Sequence, residues 1–157
     1  MKQNAINALL SEYEKAIREL QNVISDVSDL DLKKVVDNST KDEDCKSIQT
    51  ILAHVVSSGY SYCIYIQNSR NINAIRPPKT LRFSAAEYVE TLNEVIEYTR
   101  NTFTQIDDSE IEKFDNSKKI LTNRGQFYDI EQMMEHAIVH ILRHRRQVEK
   151  FKIELKN

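Results

Sequence analysis

Glycine and proline are almost missing from this chain. Of 157 residues, two are glycine (Gly59, Gly125) and two are proline (Pro77, Pro78), whereas glycine alone averages about 7% of ordinary proteins. So few turn formers leave little capacity for tight β-turns or for glycine-rich loops that cradle phosphates. P-loop, dinucleotide-fingerprint and multi-strand sandwich folds are all but excluded. Cysteine is scarce as well: Cys45 and Cys63 have no C-x-x-C spacing and are too few for a disulfide framework, which suits free thiols in a reducing cytoplasm. There is no excess of positive charge, with 22 Lys+Arg against 24 Asp+Glu and a pI of about 6.1, and so no basic footprint for nucleic acid. Long apolar runs are missing too. The opening stretch is interrupted by Glu12, Glu14 and Lys15, which argues against a signal peptide or a membrane span. A cytoplasmic location is the expectation.

What is present is helical periodicity. Hydrophobic residues make up 40% of the chain, and its length suits a single domain over residues 1–157. Four long segments carry apolar residues at three- and four-residue steps. The first, residues 4–27, places Ile6, Leu9, Leu10, Tyr13, Ile17, Leu20 and Ile24 on one stripe. The second, residues 47–68, does so with Ile48, Ile51, Leu52, Val55, Tyr62 and Ile66. The third opens on Ser84 with Glu87 three positions later, a capping-box signature, and continues through Tyr88, Leu92, Val95, Thr99 and Phe103. The fourth begins near Asp129, an N-cap candidate, and runs to about Leu155. Four such helices predict an all-α four-helix bundle.

The connections are less regular. Residues 28–46 are polar and charged, and Pro77-Pro78 ends any helical continuation in the second connection. Residues 107–128 form a long loop holding Phe114, Ile120, Leu121 and Phe127, so a short extended pair or a loop packed over one bundle end is expected there.

All four histidines fall in the second and fourth helices: His54, then His136, His140 and His144. On a helical wheel with Met133 at zero, the apolar arc of the fourth helix covers about 0–140°. His144 lies inside it at about 20°, His140 on its edge at about 340° and His136 farther out at about 300°. His54 flanks the apolar arc of its own helix. The His140-x-x-x-His144 pair projects two imidazoles one turn apart from one face, a spacing that can chelate a divalent metal. A third imidazole from another helix would close a three-nitrogen triangle with open positions for water, thiolate or substrate, as in catalytic sites. On spacing alone, the bland alternative is a set of polar histidines at the core edge.

The helix-two histidine followed by HAIVHILRHRRQ resembles the DinB-like superfamily of metal-dependent enzymes, four-helix bundles of this length that are often dimeric. The resemblance implies His54, His140 and His144 as ligands of a divalent metal ion (Ni, Zn, Fe or Mn), with His136 as an additional histidine outside the ligand set. It places Arg145 and Gln147 on the motif's arginine and glutamine, whereas Arg146 stands where the family usually has glycine. It further implies thiol S-transfer to a small-molecule electrophile, with a low-molecular-weight thiol as cosubstrate. Metal-assisted hydrolysis is the alternative, and a non-catalytic helical stress or binding module is the rival from another class. DNA binding is not implied.

The wheel puts Arg145 at about 120°, within the apolar arc, where a cation needs a buried acceptor such as a carboxylate or loop carbonyl near the site. Gln147, at about 320°, lies on the histidine side and could donate to a ligand or substrate. Ser58, one turn after His54, is either a supporting polar group or a small residue where helices approach. Tyr62 and Tyr65 could line a cavity, although tyrosine stripes are more often core. Glu131 and Glu135 point away from the histidines and H-E-x-x-H is missing, so a zincin-type peptidase is not expected.

Overall fold

The computed structural model describes residues 4–157. Residues 1–3, part of the single domain expected from the sequence, lie outside the described residues. Helix α1 spans Asn4–Ile24 and a short helix α2 spans Asp29–Lys33; the three further helices are α3 (Ile48–Ser69), α4 (Ala85–Phe103) and α5 (Ile130–Lys156). Between α4 and α5 lie the two-residue strands β1 (Ile120–Leu121) and β2 (Phe127–Tyr128). The four long helices form the bundle: α1 packs mainly on α5 and α4, and α3 on α4 and α5.

The helix starts follow their caps. Ser84 Oγ accepts from the Glu87 amide at 3.1 Å while a Glu87 carboxylate oxygen accepts from the Ser84 amide at 3.1 Å. Asp129 caps α5 in the same reciprocal way with Gln132, and Ser47 caps α3 with Thr50. The first turn of α1 is closed from a distance. The carboxylate of Asp108, in a 3₁₀ turn after α4, accepts from the amides of Ala5 and Ile6 at 2.9 and 3.0 Å.

The predicted stripes face inward. Ile6, Tyr13, Ile17, Leu20 and Ile24 of α1 are buried against Ile51, Leu52 and Val55 of α3, the whole Tyr88-to-Phe103 stripe of α4, and Met133, Ala137, Ile141, Val148 and Phe151 of α5. Each large side chain so buried contributes about 1.5–3 kcal/mol relative to exposure. Gly59 marks a tight helix approach, because a Cβ there would stand 2.7 Å from Val95 Cγ1 and 3.2 Å from Tyr13 Oη.

One connection departs from the sequence-based expectation and another meets it. Helix α1 ends at Ile24, short of the expected Val27, and the polar stretch that follows contains α2, capped by Ser28 and anchored by buried Leu32. A single buried leucine in a charged stretch has too little periodicity to announce a helix. The long α4–α5 loop does contain an extended pair, with Ile120 opposite Tyr128 and Leu121 opposite Phe127. Gly125, at φ 85°, turns this hairpin through a left-handed conformation that other residues rarely adopt. No described helix is long and apolar enough to cross a membrane.

Candidate metal centre

The capped start of α3 carries His54 in its second turn, and the middle of α5 carries His140 and His144 one turn apart. The crossing of these two helices brings the three rings together. His54 Nε2 lies 2.9 Å from His140 Nε2, which lies 3.1 Å from His144 Nε2. The three residues form a group able to hold a metal ion, with their potential ligand atoms all within 4.8 Å of one another. Bonds of roughly 2.0–2.1 Å at right angles would set neighbouring nitrogens about 2.8–3.0 Å apart, close to the spacing found.

The outer nitrogens fix which ring atoms face inward. His54 Nδ1 lies 3.2 Å from a carboxylate oxygen of Asp44, and His144 Nδ1 lies 3.0 Å from Gln147 Oε1. Gln147 Oε1 accepts, so His144 Nδ1 carries hydrogen and its Nε2 presents a lone pair to the shared point; the Asp44 charge beside His54 Nδ1 favours the same tautomer there. Gln147 meets His144 through its Oε1 as an acceptor, which leaves its amide nitrogen to donate elsewhere. His140 Nδ1 is buried and finds no partner among the described residues.

Electrostatics keeps the rings neutral. Burial lowers the pKa of all three, and for His140 burial together with the neighbouring His144 and His54 brings it down to about 3. For His54 the Asp44 carboxylate opposes the effect of burial, and for His144 the Gln147 hydrogen bond does. Neutral imidazole is the form that binds metal. A cluster of neutral nitrogens with two oriented tautomers fits a divalent ion.

His54 and His140 face a cavity of about 340 Å³ between α3, α5 and the hairpin. Ser58, Tyr62, Tyr65 and His136 also line it. Burial raises the Tyr62 hydroxyl well above the ordinary tyrosine range, so it stays protonated. His136 Nδ1 lies 3.3 Å from the Tyr128 hydroxyl, and burial followed by the Arg124 charge lowers its pKa. On the other side the histidines face a wider cleft of about 690 Å³, lined among others by Cys45, Arg146 and Gln147.

Arg145 is placed elsewhere. It pairs with Glu19 of α1 and approaches Glu149 at 3.5 Å, and it lines neither opening. It does meet a carboxylate, as a cation in the apolar arc requires, but that carboxylate sits on the α1 side, because its direction on α5 faces α1 and not α3. Sequence reasoning also missed Asp44, Tyr128 and Arg124. They lie in a 3₁₀ turn, a two-residue strand and a hairpin turn respectively, where no periodicity singles out a residue. The run Asp42-Glu43-Asp44 just ahead of the predicted second helix was the only available signal, and Asp42 uses its own carboxylate to cap the 3₁₀ turn that presents Asp44.

No curated protein and no solved structure matches this chain. A family model does: the DinB superfamily matches residues 12–148, from within α1 through the histidine-bearing part of α5. With the helical bundle in place and the match extending over most of its length, the chain belongs to the DinB superfamily.

Proposed function

We propose that this protein is a metal-dependent transferase in which His54, His140 and His144 ligate a divalent ion and a low-molecular-weight thiol is delivered to a small electrophile. The observation that carries the proposal is the Nε2 triangle beside a cavity of small-molecule size. A divalent ion held there supplies the charge that favours thiolate over thiol at neutral pH. Asp44 and Gln147 orient the ligand rings, and Ser58 and Tyr62 offer hydroxyls to a molecule in the cavity. The free cysteines, Cys45 and Cys63, fit a reducing cytoplasm.

Metal-assisted hydrolysis is the second reading, and His136 is the observation in its favour. Neutral, on the cavity wall and held by Tyr128, it can accept a proton from water. The carboxylate on that wall, Asp44, is already engaged by His54 and Lys79. A wall on which no carboxylate among the described residues is free favours transfer over hydrolysis. The test is to load the protein with Ni, Zn, Fe or Mn and add candidate thiols with a haloaromatic electrophile. Thiol-dependent turnover, with a thiol-induced change in the spectrum of a cobalt- or nickel-loaded sample, is expected. Absence of both effects would overturn the transferase reading in favour of hydrolysis, and failure to bind any metal would leave a non-catalytic bundle.

A further inference from the structure

Charge is spread unevenly over this molecule. The chain is net −2, yet the groups around the histidines are mainly cationic. Of nine arginines, four (Arg18, Arg70, Arg100 and Arg145) pair with carboxylates. The other five have no carboxylate within ion-pair distance among the described residues. Four of those five, Arg76, Arg124, Arg143 and Arg146, line the cavity or the cleft beside the histidines. Lys79 also lines the cavity but is engaged by Asp44.

Arg124 is the arginine common to both openings. The left-handed Gly125 directly after it sets the hairpin turn, and the Asn123 amide donates to Tyr65 Oη at 3.0 Å, which fastens that turn to α3. Arg76 comes from the α3–α4 connection and is steered by a 3.0 Å hydrogen bond to Ser61 Oγ, also on the cavity wall. A guanidinium without a carboxylate partner presents a planar fork of donors that matches carboxylate and phosphate oxygens. The cavity volume of about 340 Å³ is near the lower end of the small-molecule range and too small for a polymer.

We propose that this cavity binds a small anionic molecule by its carboxylate or phosphate group, with Arg124 as the principal contact and Arg76 as the second. The anion site stands on its own residues. The orientation it gives, with the anionic group toward the hairpin and the remainder toward the histidines, rests on the metal-centre reading of the previous section.

The experiment is a titration of metal-free protein with succinate, inorganic phosphate and neutral succinamide, followed by calorimetry and by amide NMR shifts. Saturable binding of at least one anion, with shifts at residues 61, 65 and 123–126, is expected, and no binding of succinamide. The stronger of the two anions identifies the group that is read. Arg124→Gln, on an exposed turn, should weaken binding at least about tenfold, whereas Arg82→Gln, which removes an arginine that lines neither opening and has no carboxylate partner among the described residues, should leave it unchanged. Absence of saturable binding by both anions, or an equal loss in the two variants, would overturn the proposal. His144→Ala separates the two readings, because anion binding should survive in it even though metal binding is lost. Metal binding without anion binding sinks only the present inference, and the converse sinks only the metal centre.

Discussion

His54 Nε2 and His140 Nε2 stand 2.9 Å apart across two helices, although 86 residues separate them along the chain. Their outer nitrogens differ: that of His54 faces Asp44, and that of His140 faces no polar partner among the described residues. The inner nitrogens are therefore set by geometry that α3 and α5 impose together, and a cation between them would be shared by both helices.

Metal content is the first consequence. Tag-free protein should hold a near-equimolar amount of Ni, Zn, Fe or Mn by elemental analysis, and His144→Ala should hold less than about one-tenth of that. Metal at about 100 times its dissociation constant should stabilise the fold by about 2.7 kcal/mol, read as a shift in Tm that a chelator reverses. Equal metal content in the two proteins would remove the centre.

Asp44 and Gln147 are expected to act through the rings they hold. Asp44→Ala should lower metal affinity about 10–100-fold, with Gln147→Ala smaller or similar, as is usual for groups that orient ligand histidines. Arg145→Ala should leave affinity unchanged while lowering Tm, since it is held by Glu19 on the α1 side and by Glu149 on its own helix. Competition titration with a chromophoric chelator measures all three, and an affinity loss in Arg145→Ala would return that residue to the site.

Acid should weaken the metal-free fold. Burial holds His54, His140 and His144 below their ordinary range, His140 at about 3, so the unfolded chain binds more protons than the folded one below about pH 6.5. Stability is then full above about pH 6.5 and falls as pH drops toward about 3, by up to about 1.4 kcal/mol per pH unit for His140 alone. Urea denaturation between about pH 7.5 and about pH 5 tests the sign, and His140→Asn should flatten the slope. Stability that rises on acidification would contradict the burial of neutral rings.

Gly59 offers a test of packing alone. Gly59→Ala places a methyl group against Val95 and Tyr13 at distances that force movement, so a loss of about 1–3 kcal/mol is expected from urea denaturation. Ser58→Ala, one residue earlier on the cavity wall, should change stability little. Equal effects at the two positions would mean that the helices yield more easily than their spacing indicates.

Much of this architecture was legible in the residues. The four stripes and the Ser84 and Asp129 caps locate the bundle helices, because burial on one helical face leaves a period of about 3.6 residues that a linear sequence retains. The spacing of His140 and His144 was legible for the same reason, and the family resemblance pointed to His54. What the sequence hid lies off the helices. Asp44 reaches His54 from a 3₁₀ turn, and Arg124 reaches the cavity from a hairpin, through loop paths that no periodicity encodes. Arg145 shows the limit of a single-helix wheel: it reports the angle of a side chain, but not which neighbouring helix lies at that angle.

The long-range cap of α1 bears on how the chain is made. Asp108 holds the amides of Ala5 and Ile6 across sequence separations of 103 and 102 residues, and Arg145 and Lys152 of α5 fasten Glu19 and Asp26 near the other end of that helix. Helix α1 is thus secured by segments synthesised well after it. A nascent chain that has not yet released α5 from the ribosome lacks both fastenings at that end and two of the three histidines. Synthesis of α5 completes the bundle and the histidine cluster in one event, so vectorial synthesis delays both until α5 has emerged.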